Sequence, residues 1–137
     1  MFFKKQDTSD DKNLLIKVCA LLIHAAKIDQ NYTDKEEEII KKTLLRLGST
    51  QKELSKIIDK ARTIEENSNQ ILDFTKEVKN LSNKDKIKIV EALWSIIYSN
   101  KDADIYETNL MRRLAGLLYI DNKTMGDIKD RIKNQNL

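Results

Sequence analysis

No proline interrupts this chain of 137 residues, and only three glycines do: Gly48, Gly116 and Gly126. Sheet proteins need turn residues between strands, and glycine and proline are the strongest of these. A chain this poor in both is restricted to long helices joined by short connections. The length fits one domain. A chain of this size buries roughly 65–70% of the surface its unfolded form exposes, so a core forms without staples.

The apolar residues recur at helical spacing. Residues 12–28 read as a helix apolar on most sides, through Leu14, Leu15, Val18, Cys19, Leu21, Leu22, Ala25 and Ile28. Such a helix is normally central. Residues 34–47 form an amphipathic helix with Ile39, Ile40, Leu44, Leu45 and Leu47 inward, and Gly48 stands where a C-cap belongs. Thr50 with Glu53 spells a capping box for a helix over 51–65. Ser68 can cap a helix over 69–80, and Ser82 with Asp85 opens one over 83–98. Further helices cover 105–118 and, capped by Asp121, the stretch to 134. The expected fold is all-α, a compact bundle of about seven helices. Residues 1–11 are expected to be a flexible N-terminal segment and residues 12–134 the helical domain.

Two stretches resemble each other. "LLIHAAKIDQNYTDKEEEIIKKTLLRLG" and "LWSIIYSNKDADIYETNLMRRLAGLLYI" each read as a buried helix, a short acidic loop and an amphipathic helix. Aligning Asp29 with Asn100 gives an offset of 100 − 29 = 71 residues. Asn31 then meets Asp102, Thr33 meets Asp104, and Glu36 meets Glu107. The pattern predicts an internal pseudo-two-fold repeat whose apolar helices share one core.

The oxygen side chains of these loops admit two readings. Calcium and other hard divalent cations take carboxylate, amide and carbonyl oxygens. Asp29, Asn31 and Glu36 in the first loop, and Asn100, Asp102, Asp104 and Glu107 in the second, are the candidate ligands. An EF-hand does not fit, because the sixth and twelfth positions from Asp29 are Asp34 and Ile40. Alternatively, Thr33-x-x-Glu36 and Asp104-x-x-Glu107 are capping boxes that start helices. Capping explains half of each oxygen pattern and leaves Asp29, Asn31, Asn100 and Asp102 unexplained.

The residues Asp29 and Glu36, the stretch "FTKEV", and the run "KIVEALWSIIYSNKDADIYETNLMRRLAGLL" resemble the TerB-like tellurite-resistance protein B family, especially its stand-alone bacterial members. The resemblance covers about residues 12–132 and is most specific around Trp94, Tyr98, Glu107, Arg112 and Arg113. It implies an all-helical fold with two acidic loops, and a role in stress and tellurite resistance. It also implies divalent-metal handling near the membrane and no established catalytic activity. Gln30 and Lys101 stand where the family's loops carry glycine, and Asn100 where the second loop carries aspartate.

The remaining residues point away from catalysis. His24 is the sole histidine and lies in "LLIHAAK", where a helix residue bonded at its ring nitrogen is expected rather than a metal ligand. Cys19, the one cysteine, reads as a small core hydrophobe, and Trp94 with Tyr98 as core aromatics. No phosphate loop, nucleophile elbow or His-Glu metal motif occurs. The net charge is only +3, from 25 basic and 22 acidic residues. Lys41, Lys42, Arg46, Arg112, Arg113, Lys123, Lys129, Arg131 and Lys133 are interleaved with Glu37, Glu38, Asp127 and Asp130, which describes a solvated surface rather than a nucleic-acid stripe. The longest apolar runs are about half of a membrane span. Phe2 and Phe3 beside Lys4 and Lys5 offer at most a weak membrane contact. The expectation is a non-catalytic cytoplasmic binding module, peripheral to the inner membrane, whose partners are other proteins of a membrane-associated stress response. A metal-free interaction scaffold is the alternative, and a nucleic-acid binder a third.

Overall fold

The computed structural model describes residues 8–27, 33–68, 71–99 and 105–135, with the side chains of 8–11 and 105–108 outside that description. The described residues form α1 (Thr8–Ala26), α2 (Asp34–Arg46), α3 (Gln51–Asn67), the single turn α4 (Leu72–Thr75), a 3-10 turn (Val78–Asn80), α5 (Asn83–Tyr98), α6 (Ile105–Leu117) and α7 (Asn122–Gln135), with no strand among them.

The ends of these helices follow from local chemistry. Thr33 and Glu36 form the expected capping box at the start of α2. Ser82 accepts a hydrogen bond from the Asp85 backbone N–H at 3.3 Å and so caps α5. Helix α2 stops in a Schellman turn. The Gly48 N–H donates to the Leu45 carbonyl at 3.2 Å, and the Ser49 N–H to the Leu44 carbonyl at 2.9 Å. Gly48 takes a φ of 114°, which a side chain would resist. Helix α6 stops the same way: the Tyr119 N–H donates to Gly116 at 3.3 Å, and the Ile120 N–H to Ala115 at 2.9 Å.

Two local expectations are corrected. Thr50 makes no side-chain cap bond at α3. Glu53 reaches across to Lys12 instead, at 3.1 Å. The helix expected over 69–80 is broken into α4 and the 3-10 turn. Four residues cannot sustain a helix by their own bonds. This segment is held by burial of Ile71, Phe74, Thr75 and Val78, while Leu72 faces solvent. Ser68 hydrogen-bonds Asp73 and does not sit at the N-cap, which is Ile71.

The core is built around α1. Val18, Cys19, Ala20, Leu21, Leu22 and Ile23 are all buried, so consecutive faces of one helix are covered. Helix α3 covers it most extensively, and α2, α4 and α5 pack on its other sides. Helix α5 is the second centre. Ile89, Val90, Leu93, Ile96 and Ile97 are buried, and α7 packs along it. Each such Leu or Ile side chain contributes about 1.5–3 kcal/mol when fully buried. The order of contacts, α1 with α3 and α5 with α7, runs parallel in the two halves. That order alone does not establish a two-fold axis.

Candidate functional site

The acidic loops join α1 to α2 and α5 to α6. Asp29, Asn31, Asn100, Asp102 and Asp104 lie outside the described residues, as does the side chain of Glu107 in the first turn of α6. What the structure places is the exit of the first loop. The Thr33 backbone N–H donates to Glu36 Oε1 at 2.8 Å, and the Thr33 hydroxyl donates to the same oxygen at 3.0 Å. The Glu36 N–H returns a bond to Thr33 Oγ1 at 3.2 Å. Glu36 is 1% exposed. One carboxylate oxygen is therefore committed to the helix start, which a cation would have to compete for. Among the described residues no group of three or more His, Cys, Asp and Glu side chains is arranged to hold a metal ion.

The other candidates take the roles expected of them. His24 Nδ1 lies 3.3 Å from Glu65 Oε2, and the His24 ring tilts against Phe74 at 6.1 Å. Glu65 also pairs with Lys27 at 2.7 Å, so His24 is tied into a surface ion cluster. Cys19 is buried, and burial pushes its thiol from 9.0 up to about 12. A thiol held protonated is no nucleophile. Trp94 and Tyr98 are buried and stacked, with ring centroids 5.9 Å apart. Burial, with Asp130 nearby, raises the Tyr98 hydroxyl above its usual range. The Trp94 indole N–H has no partner among the described residues. Beside this pair a cavity of about 230 Å³ opens between α5, α6 and α7, and Lys129 Nζ lies 5.5 Å from the centre of the Trp94 ring.

The charged surface is paired rather than one-sided. Arg46 and Arg131 share Glu91 at 3.4 and 2.6 Å. Lys41 and Arg62 both meet Glu37, and Lys88 meets Asp85 at 3.6 Å. These pairs set acidic side chains among basic ones on the described surface. No helix among the described residues is long and apolar enough to cross a membrane. Phe2, Phe3, Lys4 and Lys5 lie outside the described residues.

One feature escaped sequence reading. Lys86 is 6% exposed, unusually deep for a lysine. Its ammonium and that of Lys79 each lie 5.7 Å from the centre of the Tyr119 ring. Helical spacing sets Lys86 on the stripe of Ile89, Val90 and Leu93 and Lys84 off it, so the sequence carries a local signal for its depth despite its charge. The offset of 71 adds a second, setting Tyr119 opposite Gly48 (119 − 48 = 71) and so marking a side chain in a glycine position.

No curated protein and no solved structure matches the chain. The family model described as tellurite resistance protein TerB matches residues 15–130, from the first buried turns of α1 to within α7. With the helical order and the "KIVEALWSIIY" run of α5 in place, that match spans most of the molecule, and the chain belongs to the TerB family.

Proposed function

We propose that this protein is a non-catalytic stress-response module of the tellurite-resistance-related family, binding a hard divalent cation, calcium in the first instance, through its two acidic loops. The observation that carries the reading is the family match over residues 15–130, which brackets both loops. Asp29 and Asn31 would be ligands in the first loop, and Asn100, Asp102, Asp104 and Glu107 in the second. Glu36 sets the exit of the first loop through its bonds to Thr33. The cation would neutralise the loop carboxylates, and so present a surface to protein partners at the cytoplasmic side of the membrane.

A cation specific to the native state raises stability by RT ln(1 + [L]/Kd). The expected result is a saturable rise in Tm with calcium, magnesium or manganese, lost in Asp29→Asn combined with Asp102→Asn. A Tm that follows only a matched salt control removes the cation. One observation favours a second reading, a metal-free scaffold: the Glu36 carboxylate is already engaged at the helix start. That scaffold would capture its protein partner in the presence of chelator, whereas the cation-ordered module would not.

A further inference from the structure

A cavity of about 250 Å³ lies where the start of α5 meets the turn between α6 and α7, lined among others by Asn83, Lys86, Tyr119, Asp121 and Thr124. Lys86 reaches it from the first turns of α5 with 6% of its surface exposed. No carboxylate and no hydrogen-bond acceptor pairs with its ammonium among the described residues; its contact is the face of Tyr119 at 5.7 Å. Taking an ammonium out of water without a counter-ion is costly, and a ring face replaces only a small part of that hydration. Lys79 brings a second ammonium to the same ring at 5.7 Å. Asp85, the nearest acidic neighbour in sequence, is already bonded to Ser82 and paired with Lys88.

The rest of the lining mixes apolar Ile87 and Ile120 with polar residues at two helix starts. Asn83 opens α5 and Thr124 lies in the first turn of α7, so the N-termini of two long helices border one space. Helix N-termini present backbone N–H groups and partial positive charge. The exposed Asp121 is the acidic side chain among the lining residues. Tyr119, 68% exposed with φ 58°, is held over both ammonium groups by the turn that ends α6.

We propose that this cavity binds a phosphate-type oxyanion, with Lys86 as its buried counter-ion, Lys79 as the second cation at its rim and Tyr119 as its cover. The volume admits a phosphate group with a small substituent. The chemistry is shared by a free phosphate monoester and by an anionic lipid headgroup.

The test uses the full chain, labelled with ¹⁵N and titrated with sodium phosphate against sodium chloride at equal ionic strength. The expected result is a saturating shift of the Lys86, Tyr119 and Thr124 amides. It weakens by about tenfold or more in Lys86→Met, which keeps the apolar stem, and weakens less in Lys79→Gln. Asp121→Asn, an equally good helix cap, tightens it. A parallel arm sediments the protein with phosphatidate-containing or pure phosphatidylcholine vesicles. Saturation by phosphate without vesicle binding supports a free phosphate ligand. Phosphatidate binding that Lys86→Met abolishes supports a lipid headgroup. The proposal is overturned if neither arm gives a signal, or if the signal is equal in wild type and Lys86→Met. Should Lys86→Met fail to fold, phosphate binding unchanged in both Lys79→Gln and Asp121→Asn overturns it equally.

Discussion

Gly48 and Tyr119 occupy the same position in two turns built alike, each the residue just past the cap of a helix, with φ of 114° and 58°. The first half meets this backbone with a glycine and the second with an aromatic side chain. Gly48→Ala should therefore lower stability by about 1 kcal/mol. Tyr119→Gly relieves a left-handed penalty of about 1–2 kcal/mol and loses cation–π contacts of about 0.5–1 kcal/mol each, so its net change is small. In a Lys79→Met background the same substitution should become stabilising. Urea midpoints of wild type and these four variants check the sign.

Cys19 gives the fold a pH dependence at the alkaline end. Its thiol is pushed from 9.0 to about 12 by burial. Above pH 9 the unfolded chain releases this proton and the folded chain keeps it. The folded state then binds more protons, so stability falls as pH rises. The full contribution is present below pH 9 and is lost progressively toward pH 12, at up to about 1.4 kcal/mol per pH unit. Urea midpoints at pH 8 and 10.5 should fall further in wild type than in Cys19→Ala. Native Cys19 should also resist iodoacetamide until urea unfolds the chain.

Thr33 and Glu36 separate structure from ligation. Thr33→Ala removes the hydroxyl that accepts from the Glu36 N–H and donates to its carboxylate, leaves the Thr33 backbone N–H bond in place, and should lower stability by about 1 kcal/mol. Glu36→Gln keeps an acceptor for the Thr33 N–H and should cost less. Comparing thermal melts with and without calcium then shows whether the charge of Glu36 matters to any cation effect beyond the helix start.

Core position decides the cost of losing an apolar side chain. Leu22→Ala, in the fully covered middle of α1, should lower stability by about 3 kcal/mol. Leu72→Ala, at a residue 45% exposed in α4, should change it by less than about 0.5 kcal/mol. Chemical denaturation of the two variants checks the contrast.

What could be read from sequence was local or periodic. The apolar all-round pattern of α1 and α5 announced buried central helices, and Gly48, Ser82 and Thr33 marked real helix ends. Those signals work because capping and turn chemistry act within four residues. The misreadings lie where a distant contact decides. Thr50 and Glu53 have the spacing of a capping box, yet Glu53 is drawn to Lys12 on another helix. The 69–80 stretch has helical spacing, but its breaks are set by which side chains the core accepts. Lys86 shares the inward stripe of α5, but the ring its ammonium meets belongs to Tyr119, in a turn far along the chain. The acidic loops were the most conspicuous feature of the sequence, and their placed part, Glu36, is engaged by the N-cap of its own helix.

The wrapping of α1 also fixes an order of events during synthesis. The most apolar helix, α1, is made before its partners in α2, α3 and α4. Its contact with α5 must wait until Asn83–Tyr98 has been made. Until then the growing chain displays a greasy flank that chaperones would recognise and that neighbouring nascent chains would share. A fragment ending before α5 should accordingly aggregate rather than fold as half a domain. The molecule matures in one late step, when its second centre arrives to close the first.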